Sequence, residues 1–200
     1  FYAKGASVQH LPRGLRALLC HEAVEDVDFE RSAPTICLAL CQVVGIEAPE
    51  LEAIVHDRDA WLKCACCHKD MVSKVMNGYS QDMDQWQASL HALRSEMRSL
   101  DRALFASELS APIRAVLGEC ASVEEVRRTA VDTLEDCALS VVVETFEGAG
   151  SLCVGRIYDG AHQLKHDIDM RPLDLAAIAI EASAAVKHTL GLSGYCYVDA

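Results

Sequence analysis

The chain has 200 residues, 51% of them hydrophobic and 24% charged, and its 30 acidic against 18 basic side chains leave a net charge of −12. That composition excludes a disordered chain and a polycation, so any nucleic-acid binding must be local or assisted by other parts of a longer protein. Mean hydropathy is +0.12, but no apolar run reaches the roughly 18 residues of a membrane span, and the longest, Leu175 to Val186, is broken by Glu181.

Residues 1–23 are mildly basic (Lys4, Arg13, Arg16) and contain the helix-like run Leu11 to Leu19. Ala23 to Phe29 alternates with period two and predicts a short strand. Ser32 as cap and Pro34 in the first turn predict a helix filled by Ile36, Leu38, Leu40 and Val43 and stopped at Gly45. A second helix is expected from Pro49, and residues 57–109 read as helical with a break at Asn77-Gly78. Within them Trp86, Leu90, Leu93, Met97, Leu100 and Leu104 form one apolar stripe. Arg94, Arg98 and Arg102 form another, which is either a solvated face or a phosphate-backbone contact. Ser122 with Glu125 predicts a capping box opening a helix that runs to about Glu147, with Val126, Ala130, Leu134, Cys137 and Val141 as its buried face. Asp159-Gly160 between two extended arms predicts a hairpin. A helix over Pro172 to Leu190 and a strand over Gly194 to Asp199 close the chain. This order predicts an α+β fold, a small antiparallel sheet with several helices packed on it.

Ten cysteines are too sparse for a small disulfide scaffold, and with no signal peptide in the sequence we expect reduced thiols and an intracellular protein. Cys37 and Cys41, one turn apart among Ile and Leu, read as core residues. Cys64, Cys66, Cys67 and His68, with His56 upstream, carry zinc-compatible donors but lack a second ligand pair at finger spacing. Cys20-His21 is a weak nucleophile–base pair, because adjacent side chains point apart. Neither a P-loop nor a GxGxxG sequence occurs.

Two carboxylates stand out. Asp28 ends the first expected strand, and Asp159 sits at the hairpin tip. If the two elements are neighbours, the carboxylates converge, and a hard divalent cation such as magnesium relieves their repulsion. Two such ions suit phosphoryl transfer. Taken singly, a polar strand end and a good turn dipeptide are the better explanation of each.

The order of motifs resembles family A DNA polymerases, of the kind found in large DNA viruses and mobile elements. Ser7-Val-Gln-His-Leu-Pro-Arg-Gly-Leu-Arg16 resembles the segment before the first catalytic motif of that family. Asp26-Val-Asp28-Phe29 through Ile36 resembles motif A, Lys74-Val-Met-Asn77-Gly78-Tyr79 is similar to motif B, and Gly150 to Asp159 with Gly160 resembles motif C. Tyr197-Val-Asp199 is similar to the strand that follows. The resemblance implies a single palm-like domain over 1–200, with 57–120 a fingers-like helical insertion, as a fragment of a longer protein. It implies a template-directed nucleotidyltransferase using two magnesium ions held by Asp28 and Asp159. Lys74, Arg16, Arg13 and Tyr79 would bind the nucleoside triphosphate, Ala33 would lie beneath its sugar, and Gln9 would touch the primer-template. Gly160 stands where that family has a further acid, and motif B is compressed and lacks its arginine, with Lys69 the nearest substitute. The alternatives are a catalytically degenerate scaffold or a zinc-stabilised helical interaction module.

Overall fold

A computed structural model describes residues 24–28, 31–78, 87–157, 160–167, 169–192 and 197–198. The elements in chain order are β1 (Val24–Asp28), α1 (Ser32–Val44), α2 (Pro49–Cys64), α3 (Lys69–Met76), α4 (Ala88–Ala106), a 3-10 turn (Glu108–Ser110), α5 (Ala111–Leu117), α6 (Val123–Gly148), β2 (Cys153–Ile157), β3 (Gly160–Leu164), α7 (Leu175–Leu190) and β4 (Tyr197–Val198). They divide into two compact units, Arg31–Asp136, and Phe1–Glu30 with Cys137–Ala200.

The expected α+β fold, a small sheet with several helices packed on it, is corrected. The described residues are mostly helical, and their strands are four segments of two to five residues. The physical reason lies in where the apolar stripes go. Within Arg31–Asp136, α1 packs on α2 and α4, α2 on α4, and α3 on α4. Leu51, Ile54, Leu90, Leu93, Met97, Leu100 and Leu104 are buried there, so these helices satisfy one another and need no sheet beneath them.

Several joints in the helical unit are polar. Arg31 adopts a left-handed conformation (φ 58°) at the start of α1, and its guanidinium donates to the carbonyls of Val55 (2.7 Å) and His56 (3.2 Å). Those carbonyls lie just before a break in α2 at Asp57 (φ −150°, ψ 89°), where the ordinary i+4 donors are lost. The Asp57 carboxylate recaps the second half by accepting from the Ala60 amide at 3.0 Å. Ser32 does not cap α1 as expected. It is buried and donates its hydroxyl to Glu135. Glu96 of α4 accepts from the amides of Glu50 (2.8 Å) and Leu51 (3.0 Å), and so supplies the cap that Ala48 cannot provide for α2. Asp101 and Arg127 form an ion pair of 2.5 Å between α4 and α6, and both are buried.

The second unit holds an antiparallel sheet in the order β2-β3-β1-β4. Val27 and Ala161, opposite each other in β1 and β3, are fully buried, as are Phe146 and Val142 of α6 and Ala182 and Val186 of α7. Helix α7 starts three residues later than Pro172, with Asp174 as the cap accepting from Ala177 at 3.0 Å. The buried face expected for α6 is also corrected: Cys137 is exposed, Leu134 and Val141 are half-buried, and the buried positions are Val126, Arg127, Ala130, Val131, Ala138, Leu139, Val142, Val143 and Phe146. Val126 and Ala130 are buried as expected, Arg127 is buried beside them against Asp101, and past Leu134 the buried face follows Ala138 and Val142 instead of Cys137 and Val141.

Candidate active site

β1 is an inner strand. Its last residue, Asp28, lies opposite Gly160 of β3 on one side and opposite Tyr197 of β4 on the other. Gly160 is the first residue of β3 and also pairs with Ile157, the last residue of β2. The end of the hairpin at Ile157 and Gly160, where β2 passes into β3, is therefore registered against the residue that ends β1. Asp159 precedes Gly160 in the chain and lies outside the described residues, as do Gln9, Arg13, Arg16, Tyr79 and the Cys20-His21 pair.

Lys74 is exposed in the last turn of α3, whose other face buries Val72, Val75 and Met76. A cation there complements the helix C-terminus whether or not it also binds a phosphate. Ala33 is half-buried in the first turn of α1. Lys74 and Ala33 belong to the helical unit, and Asp28 belongs to the sheet-bearing one.

The cysteine-rich segment does not continue as one helix. α2 ends at Cys64, Cys66 turns left-handed (φ 46°), and α3 begins at Lys69. Cys64, Cys66 and His68 are exposed, and the Cys66 thiol points back to the Lys63 carbonyl at 3.6 Å. Among the described residues, no group of three or more His, Cys, Asp or Glu side chains is arranged to hold a metal ion. Among them, too, no helix is long and apolar enough to cross a membrane.

Sequence reasoning missed the polar centre of the helical unit. The buried Cys37 thiol is pushed up to about 11 by burial, an effect only partly offset by the neighbouring Arg127 guanidinium. Burial likewise drives Cys41 up to about 12. Both are protonated thiols at neutral pH, and their burial disfavours the thiolate that a nucleophile requires. Burial raises the Asp101 carboxyl in spite of Arg127, and raises Glu96 in spite of its two amide donors. The one sequence signal for the ion pair is that Asp101 and Arg127 fall directly beside stripe positions, Leu100 and Val126.

No protein-family model matches the chain, and no curated protein is similar to it.

Proposed function

We propose that the chain is a template-directed nucleotidyltransferase in which Asp28 and Asp159 hold two magnesium ions. The observation that supports this reading is the register of Asp28 opposite Gly160, the residue that follows Asp159 in the chain. A glycine at that position adds no side chain of its own, and carboxylate oxygens are the donor type that magnesium takes together with substrate phosphates. When bound, the ions lower the pKa of the primer 3′-hydroxyl and stabilise the departing pyrophosphate. The protein's own part is positioning and charge: Arg13 and Arg16 bind the triphosphate and Gln9 the primer-template.

The test is primer extension on a labelled primer-template with magnesium, comparing the chain with Asp28→Asn. The reading expects extension that depends on the metal and falls by about 10²–10³-fold or more in the variant, with far-UV circular dichroism unchanged. Extension that is indifferent to Asp28→Asn overturns it. A chain that binds primer-template and never extends it is the degenerate scaffold instead.

A further inference from the structure

Helix α4 carries two carboxylates, and both are turned inward. Glu96 (9% exposed) caps α2, and Asp101 (4% exposed) holds Arg127. The outer face is left cationic. Arg98 and Arg102 are exposed and Arg94 is half-buried. At 3.6 residues per turn, these three fall with His91 and Phe105 in a sector of roughly 80°, and each step of four residues advances about 6 Å along the axis. Ser95 and Ser99 lie beside them and add hydroxyl donors. Among the described residues none of the three arginines is in an ion pair. Burial, and then the charge of Arg98, pull the Arg94 guanidinium below its ordinary range, as expected of a cation with another cation and no anion beside it.

The stripe ends at an aromatic ring. The Arg114 guanidinium lies 5.3 Å from the centroid of Phe105 and is steadied by its Nε donating to Ser110 at 3.1 Å. Phe105, Arg114, Ala115, Gly118 and Glu119 line a depression of about 350 Å³.

We infer that this face binds a single strand of nucleic acid, with phosphates along Arg94, Arg98 and Arg102 and a base against the Phe105–Arg114 pair. Regularly spaced cations with an aromatic platform are what a single strand requires, because every base offers a π-face and every nucleotide a negative charge. In a chain of net charge −12, a helix face that has placed both its carboxylates inside is selective for a polyanion. Between the arginines the bulky apolar residues Met97 and Leu100 are buried and the residues left at the surface are Ser95 and Ser99, so this stretch offers no apolar side chains of the kind a helix lying in a bilayer surface inserts. The inference asks nothing of Asp28 or Asp159 and stands or falls separately from them.

The test is fluorescence anisotropy of a labelled oligothymidylate of about 16 nucleotides with the full chain. Near 50 mM salt the wild type binds, and log K falls linearly with log salt. Arg98→Gln with Arg102→Gln weakens binding roughly tenfold and lowers the slope by about 1.4, or about 0.7 for each phosphate no longer neutralised. Lys63→Gln with Lys187→Gln, at two exposed positions elsewhere, removes the same charge and changes affinity less than about twofold if direct phosphate pairing and not net charge carries binding. Absence of wild-type binding at low salt, equal affinity in the arginine variant, or equal loss in the lysine control overturns the inference. So do vesicles of anionic phospholipid that bind the chain through the same two arginines more tightly than the oligonucleotide does.

Discussion

Removing Asp101 probes the buried ion pair of the helical unit. Its carboxylate meets Arg127 at 2.5 Å with side chains 5% and 3% exposed, and Arg127 Nη2 is buried with no hydrogen-bond partner. Asp101→Ala therefore removes the anion from a buried guanidinium that lies beside the Cys37 thiol, which costs about 3–5 kcal/mol. Replacing both, Asp101→Leu with Arg127→Met, removes the desolvation of two ions along with their attraction, and is expected within about 1 kcal/mol of the wild type or above it. Urea titration followed by tryptophan fluorescence reads this unit directly, because Trp61 is buried within it with its indole donating to Glu50 at 2.6 Å. The pH dependence carries a definite sign. Burial, working against Arg127, raises the folded Asp101 above its ordinary 3.8. The folded state thus holds this proton more tightly than the unfolded state, and this residue's contribution declines as the pH climbs from 3.8 through the folded value. Asp101→Asn removes that decline. An Asp101→Ala cost under about 1 kcal/mol, or a double variant as damaged as its two single changes together, contradicts this account of the pair.

Three further outcomes follow from burial and capping. Phe146 is fully buried in the sheet-bearing unit, and Phe146→Ala is expected to cost about 3–5 kcal/mol in chemical denaturation followed by far-UV circular dichroism. Under native conditions an aromatic disulfide reagent should titrate the exposed Cys64, Cys66 and Cys120 quickly while Cys37 and Cys41, buried and raised to about 11 and about 12, react only on unfolding. At the head of α6 the Ser122 amide donates to Glu125 at 2.8 Å and the Glu125 amide donates to Ser122 at 3.1 Å, so Ser122→Ala is expected to cost roughly 1 kcal/mol in the same titration.

Local chemistry was legible in the sequence where one element settles it. The Ser122–Glu125 box closes as its spacing requires. Gly45 ends α1 in the left-handed conformation (φ 74°) that residues with a Cβ rarely take. The α4 stripe from Leu90 to Leu104 is buried at each position that period 3.6 marks. What escaped was decided between elements. Ser32 has the composition of a cap but is drawn to Glu135, a residue 103 positions away. The cap of α2 comes from Glu96, whose sequence distance of 46 residues leaves no local trace. Arg127 looks like a surface residue until Asp101 is seen opposite it. The same limit governed the fold class. Periodicity tells a helix which face to bury but not against what, and here the faces of α1 to α4 found one another.

The pattern of missed partners bears on how the chain came to carry its charges where it does. A chain with 30 acidic residues would ordinarily distribute them over its helix surfaces, where each would weaken any contact with a polyanion. In α4 the two that would do so are instead joined to backbone amides and to Arg127 inside the unit. Both raised carboxyls show that burying them works against their ionisation, and packing alone could have placed apolar residues at those positions more favourably. The capping of α2 and the tie to α6 fix α4 in rotation about its own axis, since a turn of one position would withdraw Glu96 from Glu50 and Leu51 and expose Asp101 beside Arg102. Their spacing puts Arg94, Arg98, Arg102 and Phe105 on one face, and that rotation turns the face away from the core of the unit. The polar joints that stability alone does not require are the ones that orient the cationic stripe. Asp101→Asn should therefore be read against Arg98→Gln in the oligonucleotide assay: it touches no phosphate and removes a negative charge, so a loss of affinity in a folded Asp101→Asn chain would show that the orientation of α4 contributes to binding alongside direct phosphate pairing.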